Sequence, residues 1–120
     1  MNATLTQVHA ILGLLVVAGC VAFAILAWLS VSGVGSRLAD GFRVGVAGLA
    51  VVAGAIGLAV ALRGHQPGEW LHWIYGAALV VVPVVAGVLA AERSERGRSV
   101  VLAITGTLLI AIAWRAMVTG

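Results

Sequence analysis

Three properties of the amino-acid sequence predict an all-α fold, an antiparallel up-down bundle of four transmembrane helices. Of the 120 residues, 62% are hydrophobic and only 9% are charged, with a mean hydropathy of +1.17. A soluble domain carries about 25% charged residues, so this chain has too few to solvate such a surface. Four apolar runs are each long enough to cross a bilayer, which takes about 20 helical residues. Short connections between these runs make consecutive helices antiparallel neighbours.

The four predicted spans form a single transmembrane domain over residues 1–120. They lie at roughly 5–30, 43–63, 70–91 and 98–118. Span one has no basic residues ahead of it, and its apolar core exceeds the roughly 7–15 residues of a signal peptide, so we expect a retained span. Asp40 and Gly41 are predicted to continue the turn before span two, and Pro67 to separate spans two and three.

The distribution of arginines predicts the orientation, since the chain contains no lysine. Five arginines accompany the loops after spans one and three, and two lie at the opposite face. The five are Arg37, Arg43, Arg93, Arg96 and Arg98, and the two at the opposite face are Arg63 and Arg115. The positive-inside rule then predicts both termini outside, and we expect a bacterial inner membrane. Because the arginines are scattered over helix ends, the pI near 10.6 indicates anionic lipid and not nucleic acid as their partner.

Two histidines occupy matching positions at the starts of spans one and three. Each begins a His-x-Ile-x-Gly sequence, His9-Ala-Ile-Leu-Gly13 and His72-Trp-Ile-Tyr-Gly76. Spans one and three run parallel in an up-down bundle, so both imidazoles are predicted to lie at one depth near one membrane face. Two imidazoles saturate the axial positions of haem iron for electron transfer. The pattern therefore predicts a haem between His9 and His72, while His65, in the hairpin before span three, is expected to be solvated.

Residues near the two histidines extend this prediction to the macrocycle. Gly13 and Gly76 each lie one helical turn from an imidazole and leave space beside the ligand. Arg63 and Arg115 end spans two and four at the same membrane face, where a guanidinium can pair with a haem propionate or simply anchor the helix. Tyr75 can pack on the macrocycle or belong to the interfacial aromatic belt. Without a Cys-x-x-Cys-His sequence, the haem is predicted to be non-covalent haem b.

The same positions predict an internal repeat of two two-span halves. A His-x-Ile-x-Gly sequence opens each half, and Arg63 or Arg115 closes it. Such a parallel repeat implies a pseudo-two-fold axis along the membrane normal. A site on that axis would receive one histidine and one arginine from each half.

At these residues the chain resembles small b-type cytochromes built as four-helix membrane bundles. It is also similar in layout to one half of a haem A synthase, in which each four-helix half holds a histidine pair at one membrane face. The resemblance covers the whole chain in layout and the two His-x-x-x-Gly elements in sequence. It implies haem b binding and electron transfer in a respiratory or photosynthetic assembly, with a quinol or a redox protein as partner.

Two other interpretations stay open at this point. One is a cofactor-free accessory subunit, because the glycine-rich span two is predicted to pack closely, either within the bundle or against another membrane subunit or a second copy. The other is a (bacterio)chlorophyll-binding subunit with a single histidine on each pigment. The sequence contains no nucleophile–base pair, carboxylate pair or nucleotide-binding glycine motif. We therefore expect an electron carrier or accessory subunit more than an enzyme.

Overall fold

The computed structural model describes residues 2–120 and confirms the predicted all-α fold. Its four helices are α1 (Asn2–Val31), α2 (Ser36–Leu62), α3 (Leu71–Ala91) and α4 (Glu95–Thr119). All four are long and apolar enough to cross a membrane. The bundle is 47 Å long, which exceeds the roughly 30 Å hydrocarbon core of a bilayer, so the helix ends would reach the headgroups on both sides. These properties are those of an integral membrane protein.

The helices form a square in which α1 and α3 lie on one diagonal and α2 and α4 on the other. Helices α1 and α3 each pack against both α2 and α4. The core between them consists mainly of alanine and aliphatic side chains, and Phe23 is its largest fully buried side chain. Small side chains allow helix backbones to approach closely, which matters in lipid because no hydrophobic effect drives helices together there.

Helix α2 begins at Ser36, so the predicted start near residue 43 and the predicted turn at Asp40 and Gly41 are wrong. The turn is shorter because two glycines with positive φ, Gly33 at 93° and Gly35 at 74°, reverse the chain. Asp40 also has a partner inside the helix. The Nε of Arg43 donates to its Oδ1 over 2.8 Å, as side chains three residues apart on a helix can.

The connection between α2 and α3 joins the end of α4. The backbone amides of Gly68 and Glu69 donate to the carbonyl oxygens of Gly120 and Thr119, over 3.5 and 3.1 Å. These bonds satisfy carbonyls that a helix end leaves without partners. The start of α1, the 63–70 connection and the end of α4 therefore share one end of the bundle, called here the histidine end.

A shift of 63 residues, the separation of His9 and His72, aligns eight pairs of buried positions between the two halves. Under this shift α1 corresponds to α3 and α2 corresponds to α4. The matching buried pairs are Val16/Leu79, Cys20/Pro83, Phe23/Ala86, Ala27/Ala90, Ala39/Leu102, Val46/Leu109, Ala50/Ala113 and Ala53/Ala116. The halves are therefore a repeat in burial as well as in sequence.

The register of this repeat corrects one part of the sequence prediction. Arg115 corresponds to Val52 under the 63-residue shift. Arg63, at the end of α2, has no counterpart within the sequence under the same shift. The predicted equivalence of Arg63 and Arg115 is therefore wrong. Arg63 caps α2 and Arg115 lies within the last turns of α4, so both are near the same face, but only the histidines keep equivalent positions relative to the packed core.

Candidate metal centre at two histidines

His9 and His72 meet across the diagonal of the bundle. Their ring centroids lie 6.0 Å apart, and the ring planes are inclined by 75°. Both side chains are partly buried at the histidine end. Helices α1 and α3 run parallel, so equal positions in their sequences bring the two rings to one level.

Each imidazole is held by a backbone carbonyl on the second helix of its own half, which is α2 for His9 and α4 for His72. His9 Nδ1 lies 3.0 Å from the carbonyl oxygen of Ala53, and His72 Nδ1 lies 2.7 Å from that of Ala116. Both bonds span 44 residues of sequence. The two halves therefore hold their histidines by the same interaction.

This interaction selects the tautomer of each ring. A carbonyl oxygen only accepts hydrogen bonds, so Nδ1 must carry the proton and donate it. In a neutral imidazole the remaining nitrogen, Nε2, then keeps its lone pair. A histidine that ligates a metal has this arrangement, with the other ring nitrogen donating to a carbonyl or carboxylate.

Gly57 within α2 and Gly120, the residue that caps α4, make room for the two rings. A Cβ added at Gly57 would lie 2.7 Å from Cε1 and 3.1 Å from Nδ1 of His9. A Cβ at Gly120 would lie 2.7 Å from Cε1 and 2.8 Å from Nδ1 of His72. Each glycine follows, by one helical turn, the alanine whose carbonyl accepts the hydrogen bond. Because the glycine has no side chain, the imidazole can pass over it to reach that carbonyl.

Gly13 and Gly76, the glycines predicted to make space for a macrocycle, have no packing partner. A Cβ built on either would meet no atom within 4 Å outside its own helix. Both lie one turn from a histidine on the same helix, so there is open space one helical turn from each imidazole. The glycines that contact the rings are instead Gly57 and Gly120.

The predicted arginines and tyrosine lie at the same end of the bundle, with different surroundings. The Cζ of Arg115 lies 5.8 Å from the ring centroid of Tyr75, a cation–π distance. Arg63 is the exposed residue that ends α2. His65 is exposed in the 63–70 connection, as predicted.

The sequence analysis did not predict the four residues that contact the histidine rings. They are Ala53 and Gly57 in the first half and Ala116 and Gly120 in the second. Backbone carbonyls leave no mark on residue type, so Ala53 and Ala116 gave no chemical signal. The glycines gave a signal in the sequence, because Gly57 follows His9 by the same number of residues as Gly120 follows His72. An alignment of the halves on their histidines would have found them.

The histidine pair is not part of a larger cluster of metal-ligating side chains in the described part of the chain. Among residues 2–120, no group of three or more His, Cys, Asp and Glu side chains could form a metal site. A haem iron needs at most two ligands from a protein, because the porphyrin supplies the others.

A comparison of the chain with models of protein families, with curated proteins and with solved structures finds no match.

Proposed function

We propose that this chain is a membrane b-type haem protein that transfers electrons, with His9 and His72 as the two axial ligands. The observation that carries the proposal is the pair of imidazoles, 6.0 Å apart, each with Nδ1 at a carbonyl oxygen. Two imidazoles that each give one nitrogen to the same metal, at about 2.0 Å, have ring centres about 6 Å apart. The separation therefore fits a shared metal ion.

Haem supplies a one-electron redox centre, and the chain supplies its ligands and surroundings. His9 and His72 would hold the haem through Nε2, and a haem held by two histidines supplies electron transfer and not oxygen binding. Gly13 and Gly76 border open space one helical turn from the ligands. Arg115 and Arg63, at the same end, are the cations available to propionates, and Tyr75 holds the Arg115 side chain by cation–π contact.

The proposal extends to location and partners. The arginine distribution favours a bacterial inner membrane with both termini outside, which would put the haem near the outer face. A quinol or an outer-face redox protein would then donate electrons, and another membrane subunit or a second copy of this chain would receive them.

The test is an absorption spectrum of the purified full chain, first air-oxidised and then reduced with dithionite. We expect a sharp α band in the reduced protein, as low-spin bis-histidine haem gives. His9→Ala and His72→Ala should each abolish that band or convert it to a high-spin spectrum. His65→Ala is the matched control and should leave it unchanged, because His65 is exposed and lies outside the pair.

One observation favours a second candidate, a cofactor-free accessory subunit. Gly41, Gly45 and Gly48 lie on the exposed surface of α2, and a Cβ on any of them would meet no atom within 4 Å. The small residues of α2 thus leave an open surface on the outside of the bundle, where another helix could approach closely. In such a subunit the histidine–carbonyl bonds would only tie α1 to α2 and α3 to α4.

The spectrum distinguishes these functions. A featureless visible region, in protein that is folded and was produced with ample haem, would refute the haem proposal and favour the accessory subunit. A far-red band that His9→Ala and His72→Ala each reduce by half would indicate two separate chlorophyll-type pigments.

A further inference from the structure

A polar groove lies at the end of the bundle opposite the histidine pair. It has a volume of about 460 Å³ and is bounded by the start of α2, the end of α3 and the start of α4. Its charged residues are Arg37, Arg93, Arg98, Asp40 and Glu95. Asp40 and Ala53 are 13 positions apart on α2, so the groove lies about 20 Å along the bundle from the level of the histidines.

The positive charge of this groove is not neutralised within the protein. Asp40 is already paired with Arg43, in the one ion pair among the residues that the structure describes. Glu95 is then the remaining carboxylate opposite three arginines. In the described part of the chain, the side chains of Arg37 and Arg98 form no hydrogen bond or ion pair, so their donors are free.

The wall of the groove also contains a deeply buried hydroxyl residue. Ser99 is only 1% exposed, yet it belongs to the groove lining, beside Leu102. Its equivalent in the first half under the 63-residue shift is Ser36, which lines the same groove. The groove therefore lies between the N-terminal parts of α2 and α4, and the two serines occupy equivalent positions of the repeat.

We propose that this groove binds a phosphate-bearing anion. Guanidinium groups pair with phosphate oxygens in a bidentate manner, and serine hydroxyls can donate to the same oxygens. Arg37 belongs to α2 and Arg98 to α4, and Arg93 lies in the connection after α3, where its Nε donates to the carbonyl oxygen of Leu89 over 3.2 Å. The three guanidinium groups therefore line the groove from different elements. The phosphate can belong to an anionic lipid headgroup or to free phosphate in solution, since both present the same oxygens.

The experiment compares wild-type protein with an Arg37→Gln/Arg98→Gln variant, using Arg96→Gln as the matched control. Arg96 belongs to the same charged segment and is exposed, but it does not line the groove. Each full-length protein is reconstituted into phosphatidylcholine nanodiscs with or without phosphatidylglycerol, and retained lipid is counted by native mass spectrometry. Inorganic phosphate is titrated separately in the lipid-neutral discs.

We expect wild-type and Arg96→Gln proteins to retain phosphatidylglycerol or to bind phosphate. The double variant should bind the same ligand roughly 10–30-fold more weakly, because each arginine contributes about one factor of five at a membrane surface. Retention of phosphatidylglycerol against millimolar phosphate identifies the lipid, and saturable phosphate binding in neutral discs identifies the free anion.

Two results would overturn the proposal: no binding of either probe by the wild-type protein, or an equal loss in Arg96→Gln. The absorption spectrum serves as an independent readout, because the histidine pair is remote from the groove and neither arginine variant should change it. Failure at the groove is thus distinguishable from failure of the haem proposal.

Discussion

The contacts of the two halves match at the histidine end of the bundle and differ toward the opposite end. At the histidine end, His9 with Gly57 and His72 with Gly120 form the same contacts in both halves. Nearer the opposite end, equivalent positions have diverged. The pair Ala24 and Gly106 corresponds, under the 63-residue shift, to Gly87 and Arg43.

The pair Ala24 and Gly106 makes a tight contact between α1 and α4. A Cβ on Gly106 would lie 2.7 Å from the Cα of Ala24 and 3.2 Å from its backbone nitrogen. Backbone therefore lies directly against backbone, which is possible only because position 106 has no side chain.

At the equivalent contact between α2 and α3, the guanidinium of Arg43 lies between the two helices. Nη1 of Arg43 donates to the carbonyl oxygen of Pro83 over 3.1 Å, and its Cζ would lie 2.6 Å from a Cβ on Gly87. Here the glycine accommodates a side chain instead of a backbone, and α2 and α3 pack less extensively than α1 and α4. The comparison indicates that the fold tolerates asymmetry between its interfaces but preserves the surroundings of both histidines.

The largest expected effect comes from alanine at Gly106 or Gly87, the glycines of these two equivalent contacts. Gly106→Ala should lower the free energy of unfolding by about 1–3 kcal/mol, because the new methyl overlaps backbone atoms that only a helix shift can move. Gly87→Ala should cost less, since the flexible Arg43 side chain can move aside. Unfolding in mixed detergent followed by circular dichroism measures both, and equal losses would contradict the proposed difference between the interfaces.

At the symmetric end, the two halves should respond alike. Gly57→Ala and Gly120→Ala should each weaken haem binding roughly 10–100-fold, the range for residues that orient a metal ligand. The added methyl would push the imidazole away from its carbonyl partner. Haem titration of the apoprotein measures this effect, with Gly54→Ala as control because its Cβ would meet no atom within 4 Å. A strong effect in only one half would show that the histidines are not equivalent.

Removing the carboxylate that orients Arg43 should have a smaller effect. Asp40→Asn should cost about 0.5–1 kcal/mol, because the Asp40 side chain is 37% exposed and solvent screens such a pair. Glu92→Gln is the control, since that carboxylate is exposed, lies outside the groove and forms no ion pair within the described residues. The loss should shrink as salt is added, and a salt-independent loss would mean that the charge is not its cause.

The smallest effect is expected at an exposed contact between α1 and α4. The indole nitrogen of Trp28 donates to Thr107 Oγ1 over 2.9 Å, and such interhelical bonds contribute about 0.6 kcal/mol on average. Thr107→Val should remove that contribution and change the tryptophan emission. Thr105→Val is the matched control, because the Thr105 hydroxyl bonds only to the carbonyl of Val101 in its own helix. A similar emission change in both variants would contradict a specific bond to Trp28.

The sequence was sufficient to predict the number of helices and the level of the histidines. Helix number depends on the hydropathy of each segment by itself, and the level of His9 and His72 depends on helix direction and position along the span. The start of α2 was predicted too late, because Asp40 and Arg43 have the polarity of a loop when each is considered alone. They neutralise each other once the helix places them one turn apart.

The sequence by itself thus determined a four-span helical protein with two histidines at one end. Only the tertiary structure decided what surrounds them. The carbonyls of Ala53 and Ala116, the glycine surfaces at Gly57 and Gly120, and the position of Arg43 against α3 depend on the rotation and axial register of one helix against another. Hydropathy is a property of a segment, whereas a contact between residues 44 positions apart depends on how the whole bundle packs.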